Sequence, residues 1–264
     1  MKVRALLFAV FLALIATVAR RAGACGVSAS GAPAGICDAS EVLDEKAAAA
    51  RNRIGVSYGY TSTILFFSDD LRAPTVRHAV MASFEHPMPK HWTLELGAGS
   101  LLGGYLDTDV GRATFSPGVL AGVSLSHLII QPTGSSSSSR PAFGGSGYAR
   151  PFVLISFALA GVWAQTHLDS VTSVYVAFDI SAAIAAGASI KIARHAITPF
   201  IAGRLFGGPV FWTHEGSTVL GTDAYKYSLG PGLALSFEHA RVGLTFGASV
   251  LGEKNLRAGV SVSF

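Results

Sequence analysis

The amino-acid sequence predicts an all-β protein: an antiparallel transmembrane β-barrel of about ten strands, roughly eight to twelve, with a short helix ahead of it. Three observations carry that reading. Half of the 264 residues are hydrophobic and only 14% are charged, too apolar for a disordered chain, while 30 glycines are too many for a helical bundle. An export leader opens the chain. From residue 54 onward, apolar residues alternate with small or polar ones at a period of two.

The leader begins Met1-Lys2-Val3-Arg4, runs apolar over 5–19 and ends in Ala22-Gly23-Ala24. A basic start, a short apolar stretch and a small-x-small tripeptide are the parts of a secretory signal, and the run is shorter than the ~20 residues of a membrane-spanning helix. The chain thus divides into a signal peptide over 1–24, a periplasmic N-terminal segment over 25–52 and a barrel over 53–264. Cleavage falls after Ala24 or, alternatively, after Ala19. Four of the 20 basic residues, Lys2, Arg4, Arg20 and Arg21, lie in the leader with no acid beside them, so 16 basic residues remain against 16 acids. That balance gives no electrostatic reason to expect a nucleic-acid partner.

Cys25 and Cys37 are the only cysteines, and both follow the leader. In an oxidising compartment the expectation is a disulfide between them, and no histidine lies near either to suggest a metal site. Ala22-Gly23-Ala24-Cys25 also resembles a lipoprotein box, under which Cys25 would carry lipid and Cys37 would stay unpaired. Asp38 with Glu41 forms a candidate capping box before an alanine-rich run, which predicts a helix over 40–51. No cofactor is implied.

The alternation is cleanest at the C-terminus, where Leu256, Ala258, Val260, Val262 and Phe264 are interleaved with Arg257, Gly259, Ser261 and Ser263. Such strands build either a soluble sandwich or lipocalin-like barrel, or a barrel whose apolar face meets lipid. A solvent-exposed face usually carries many Lys and Glu. Here that face is Gly, Ala, Ser and Thr with isolated charges of both signs, which suits a crowded barrel interior.

The expected strands are 53–66, 75–86, 91–105, 114–130, 149–165, 173–191, 196–207, 224–238, 240–250 and 255–264. An even count puts both termini on one side. With that side periplasmic, the inner turns fall at 86–90, 193–195 and 238–240, and the outer loops at 68–73, 107–111, 166–171, 207–223 and 253–255. The Ser- and Gly-rich 131–147 fits badly, being either an unusually long inner connection or the sign of a miscounted strand. Trp92, Tyr105, Trp163 and Tyr225 fall near strand ends, where interfacial girdles belong.

With this leader, these strands and a last strand ending on Phe264 beside Val262, Val260 and Ala258, the chain resembles the bacterial outer-membrane β-barrel proteins as a broad class. The resemblance covers roughly 53–264. It implies residence among the outer-membrane lipids of a Gram-negative cell, with Phe264 in the terminal signal read by the barrel-assembly machinery. It implies no particular activity or oligomeric state.

By alternation Arg77, Glu85, Glu95, Asp179, Lys191, Arg204, Lys226, Arg241 and Arg257 share the interior. A barrel near ten strands has a narrow lumen, so opposite charges would pair across it rather than line an open pore. The expected function is noncatalytic: structural, surface-contact or limited solute passage. The rival is a lipid-modifying acyl hydrolase or transferase, which would need Ser, His and an acid together. Ser124, Ser126 and His127 are close in sequence, and His214, Glu215 and Asp223 share the segment read as the longest outer loop. Neighbours Ser126 and His127 point to opposite faces and adjacent His214 and Glu215 lack metal-ligand spacing, so neither set is expected to be catalytic.

Overall fold

A computed structural model describes residues 52–68, 70–109, 111–130, 148–192, 195–214, 216–237 and 240–264. The signal peptide, both cysteines, the helix expected over 40–51 and the segment 131–147 lie outside these residues. Among the described residues fourteen strands form one sheet: β1 (Arg53–Phe67), β2 (Arg72–Met88), β3 (Trp92–Thr108), β4 (Gly111–Phe115), β5 (Gly118–Ile130), β6 (Tyr148–Leu168), β7 (Val171–Ile192), β8 (His195–Gly207), β9 (Val210–His214), β10 (Ser217–Asp223), β11 (Tyr227–Phe237), β12 (Val242–Ser249), β13 (Leu251–Gly252) and β14 (Lys254–Ser263).

The count of fourteen replaces the expected ten or so: the run expected over 114–130 is cut into β4 and β5, the expected loop 207–223 holds β9 and β10, and β13 follows β12. Ser116-Pro117 separates β4 from β5, and Gly208-Pro209 separates β8 from β9. Proline has no N–H to donate, so each cut falls at a missing ladder bond. The backbone stays paired across them: Ser116 N donates to Gln165 O (2.8 Å) and Phe178 N to Pro209 O (3.0 Å). A second correction concerns 207–223, expected as the longest outer loop. It holds the hairpin β9–β10, in which Trp212 opposes Val219, with Gly216 at φ 81° at its tip.

All neighbours pair antiparallel, and the sheet closes on itself where β1 meets β14, from Arg53 opposite Ser263 to Ser62 opposite Lys254. That pairing stops short of the end of β1. Beyond it, Leu65, Phe66 and Phe67 pair instead with Asp223, Thr222 and Gly221 of β10. The chain therefore makes two rings. At the end bearing Arg53 and Phe264, the terminal end, β1, β2, β3, β5, β6, β7, β8, β11, β12 and β14 close in turn. At the far end the short hairpin of β12, β13 and β14 drops out, and β1, β2, β3, β4, β6, β7, β9 and β10 close without it. The barrel thus narrows from a ring of ten strands to one of eight. Ile130 and Tyr148, which flank 131–147, both lie at the terminal end.

Alternation sorts the side chains by face. Ile184, Ile201, Leu205, Leu229, Leu256 and Val260 are exposed on the outside. Ser57, Thr61, Ser83, Ser156, Thr198 and Ser261 are buried inside. At the terminal end one interior wall is apolar, built from Leu128, Phe152, Leu154, Ala185, Phe200 and Ala234. Phe200 lies over Gly232, its cross-strand partner, and a Cβ there would overlap the ring. Gly232→Val should therefore destabilise the barrel by roughly 1–3 kcal/mol through overpacking, and adding Phe200→Leu should recover much of the loss. Unfolding temperature in detergent, read by the mobility shift of folded barrel on a gel, checks both variants.

Candidate functional site: the barrel interior

Moving from the terminal end, the first interior layer is ionic. Register places Arg53 opposite Glu85, Glu85 opposite Glu95, and Glu95 opposite Ser124. Arg53 Nη1 is 3.1 Å from Glu85 Oε2, with side chains only 1% and 2% exposed. Ser124 Oγ donates to Glu95 Oε2 at 3.4 Å. Two carboxylates side by side in a buried layer are tolerable because the guanidinium and the hydroxyl flank them.

The second layer lies where the ring changes from ten strands to eight. Arg204 pairs with Asp179 and sits 3.6 Å from Glu253 Oε1. Arg77 Nη1 donates to the Tyr175 hydroxyl at 3.5 Å, and Thr63 Oγ1 donates to Asp223 Oδ1 at 3.3 Å. Arg257 lies between Gly59 and Gly247 on the flanking strands, and a Cβ on Gly247 would collide with its Nε. The missing side chains make room for the guanidinium to lie along the wall. A cavity of about 130 Å³ opens here, its lining including Arg77, Asp179 and Arg204 along with Met81, Leu101 and Leu120.

Above this layer the eight-strand ring is filled. Leu65, Phe67, Leu106, Phe115, Tyr175, Val210 and Trp212 form one buried cluster across its width. The Phe67 and Trp212 rings lie 5.9 Å apart, and Phe115 meets Tyr175 edge-on at 5.0 Å. Trp212 Nε1 donates to Thr166 Oγ1 at 3.0 Å, so the indole brings no unpaired donor into the plug.

Of the nine charges expected inside, Arg77, Glu85, Glu95, Asp179, Arg204 and Arg257 face this interior. Lys191, half-buried near the terminal end of β7, is opposite Tyr148 and Ala196. Lys226 and Arg241 are corrections: both are exposed in connections, Lys226 between β10 and β11, and Arg241 in the turn before β12 at φ 51°. Alternation counted through those positions fails because the strands end before reaching them. Arg53 and Glu253 were missed for the opposite reason, as one stood at the edge of a predicted strand and the other in a predicted loop.

The residues weighed for acyl chemistry do not assemble. Ser124 and Ser126 are buried on the inner face, whereas His127 is half-buried on the outer face and stacks on Trp92 at 4.6 Å. His214 ends β9, Glu215 lies outside the described residues, and Asp223 faces the interior. Among the described residues, no group of three His, Cys, Asp or Glu could hold a metal.

No protein-family model matches the chain, and no curated protein matches it in sequence. Among solved structures it is similar to the outer membrane protein OprG from Pseudomonas aeruginosa, at 10% identity and TM-score 0.41, covering 82% of this chain and 96% of that one. It is similar to the translocator domain of the autotransporter NalP from Neisseria meningitidis, at 6% identity and TM-score 0.35, covering 85% and 92%. A major outer membrane protein from Thermus thermophilus matches at 10% identity and TM-score 0.30, covering 81% and 99%. These structures are bacterial outer-membrane proteins, the broad class that the sequence resembles. At such distances the likeness is one of outline, and none of what those proteins carry passes to this chain.

The buried pair gives a direct test of the interior electrostatics. Glu85→Gln should destabilise the barrel by about 3–5 kcal/mol by removing the charge that Arg53 meets in this buried layer, whereas Arg53→Met with Glu85→Leu should lie close to wild type. Denaturant midpoints of the refolded variants in detergent distinguish the two outcomes.

Proposed function

We propose that the protein is a bacterial outer-membrane barrel whose lumen is closed to solute and which works through its outer wall and rim. The observation behind this reading is the plug: Leu65, Leu106, Tyr175 and Val210 are no more than 2% exposed inside the eight-strand ring. An eight-strand barrel has an interior about as wide as side chains can fill, and here apolar side chains fill it. A hydrated pore would need polar groups in that position. The exposed apolar belt outside supports a lipid environment, and Trp92, Tyr105, Trp163 and Tyr225 supply rings for its margins.

In this reading the exported chain places its terminal end in the periplasm and its eight-strand end outward. The leader over 1–24 is removed, and Cys25 and Cys37 join in the periplasmic segment. Phe264, 48% exposed at the end of the lipid-facing stripe of β14, is the terminus the assembly machinery reads.

Two outcomes follow. In planar bilayers the wild type should give no stable stepwise conductance, while Phe67→Ala with Trp212→Ala should open the plug and give channels; regular conductance steps in the wild type would end the closed-lumen reading. Deleting Phe264 removes at most about 2 kcal/mol of apolar burial, so the finished barrel should survive. Assembly should nevertheless slow sharply, and wild-type amounts of heat-modifiable barrel in the membrane fraction would refute a role for Phe264 as the signal.

A further inference from the structure

At the far end, β4, β6 and β7 lie side by side. Register sets Thr114 opposite His167 and His167 opposite Thr172, while Phe115 and Thr166 face inward as a pair. The next residue, Ser116, therefore turns outward. Its backbone N–H is tied to Gln165 O at 2.8 Å. Ser116 Oγ lies 2.7 Å from His167 Nε2, and His167 Nδ1 lies 3.0 Å from Thr172 Oγ1. Hydroxyl, imidazole and a third group holding the ring stand in line, as an activated serine requires.

The depth of this cluster suits one kind of substrate. Trp163, on the outward face of β6 four residues before His167, is 48% exposed, and its cross-strand partner Val119 is 60% exposed. Leu159 and Phe157 continue the apolar wall toward the terminal end. On the other side of the cluster stand exposed Thr114 and Arg112, the latter paired with half-buried Asp107. With a strand rise of about 3.3 Å per residue and the usual tilt, Ser116 sits roughly 5 Å beyond the level of Trp163. Interfacial tryptophans mark the headgroup boundary, where the ester bonds of membrane lipids lie.

We propose that Ser116 and His167 form an acyl-transfer site that hydrolyses the carboxylic ester bonds of lipids in the outer leaflet. The assignment of a lipid substrate rests on the outer-membrane reading above; the dyad itself does not. With Nδ1–H donated to Thr172, His167 Nε2 takes the proton of Ser116 as Oγ bonds to the ester carbonyl carbon. Gln165, exposed and tied to Ser116 through its backbone carbonyl, is the residue whose side-chain amide we assign to the resulting oxyanion. Collapse breaks the bond to the alcohol, which leaves with the proton from Nε2 as a lyso-lipid. Water, deprotonated by His167, then attacks the acyl-serine; the fatty acid departs and Ser116 recovers its proton. Thr172 orients the ring without the negative charge that would stabilise the imidazolium, so it is a positioning residue.

The test uses the full-length chain refolded in detergent, with folding of every variant confirmed by heat-modifiability. A fluorophosphonate probe should label the wild type at Ser116, and a short-chain nitrophenyl ester should be hydrolysed. Ser116→Ala should lose the label, and both it and His167→Gln should lower turnover at least about a hundredfold. Ser170→Ala, in the turn between β6 and β7, should keep both signals. Thr172→Val should lower kcat with KM unchanged, and Thr172→Ser should restore it; full kcat in the valine variant would overturn the positioning role. In phosphatidylethanolamine–phosphatidylglycerol vesicles the wild type should release fatty acid. A folded wild type that takes no label and cleaves neither substrate, or Ser116→Ala as active as wild type, would overturn the proposal. Cleavage of the soluble ester with vesicle lipid untouched would overturn the lipid substrate. Failure of the barrel to enter vesicles would overturn the membrane reading while the detergent assays still judge the dyad.

Discussion

A strand edge left bare leaves backbone N–H and C=O groups without partners, so a sheet that closes must pair every strand along the wall. β1 shows how strongly that governs this barrel. Its first ten residues pair with β14, whose hairpin then turns back, and without another neighbour Leu65, Phe66 and Phe67 would keep a bare, unpaired edge. β10 covers them. Because β10 reaches β1 over the top of the β12–β14 hairpin, closing that edge removes two strands from the circumference. A wall that must close thus produces a barrel of two widths, and the narrower ring is one that aromatic and aliphatic side chains can fill.

The ionic layer follows from the same step. Asp179 lies where β7 changes partner from β8 to β9, Asp223 ends β10, and Glu253 stands between β13 and β14. Each of these acids is at a point where one ladder stops and another begins. Arg77, Arg204 and Arg257, by contrast, sit within ladders. The change of width leaves space no regular row of small residues would fill; Arg204 spans it to reach Asp179 and Glu253, and Arg77 bonds the Tyr175 hydroxyl. Their pairing limits the cost of burying charge beneath an apolar plug.

Much of the wall was legible, because alternation is a local property of each strand. The faces of β14 and β12 follow directly from Leu256 against Arg257 and Phe246 against Gly247. Partner choice is not local and leaves no such pattern in the sequence. Nothing in Phe211, Trp212, Val219 and Leu220 announces that a hairpin completes a smaller ring, so the segment resembled a loop. Parity also breaks without altering composition. A register shift between His78 and Ala79 adds Leu102 to β3, so Leu101 and Leu106 both point inward although one is odd and the other even. Lys226 and Arg241 were placed inside by counting past strand ends. Ser116 and His167, far apart in the chain, meet only through the pairing of β4 with β6.

That meeting depends on the interruption which divides β4 from β5. Below it, Leu120 and Ser124 face inward on even numbers; above it, Ala113 and Phe115 face inward on odd ones. Proline at 117 absorbs the change. An unbroken strand holding the parity of β5 would turn the Ser116 hydroxyl into the lumen, away from His167. The interruption allows Phe115 to join the plug and Ser116 to face outward one residue later. Filling the narrow ring and presenting a serine at the outer rim are thus two results of a single backbone break. A closed interior and a surface site do not compete for the same residues: the inward residues of β4 seal the barrel while Ser116, in the break just beyond it, carries the hydroxyl. The rigidity that the plug gives to β4, β6 and β7 is also what a nucleophile and base on separate strands require to remain within hydrogen-bond reach.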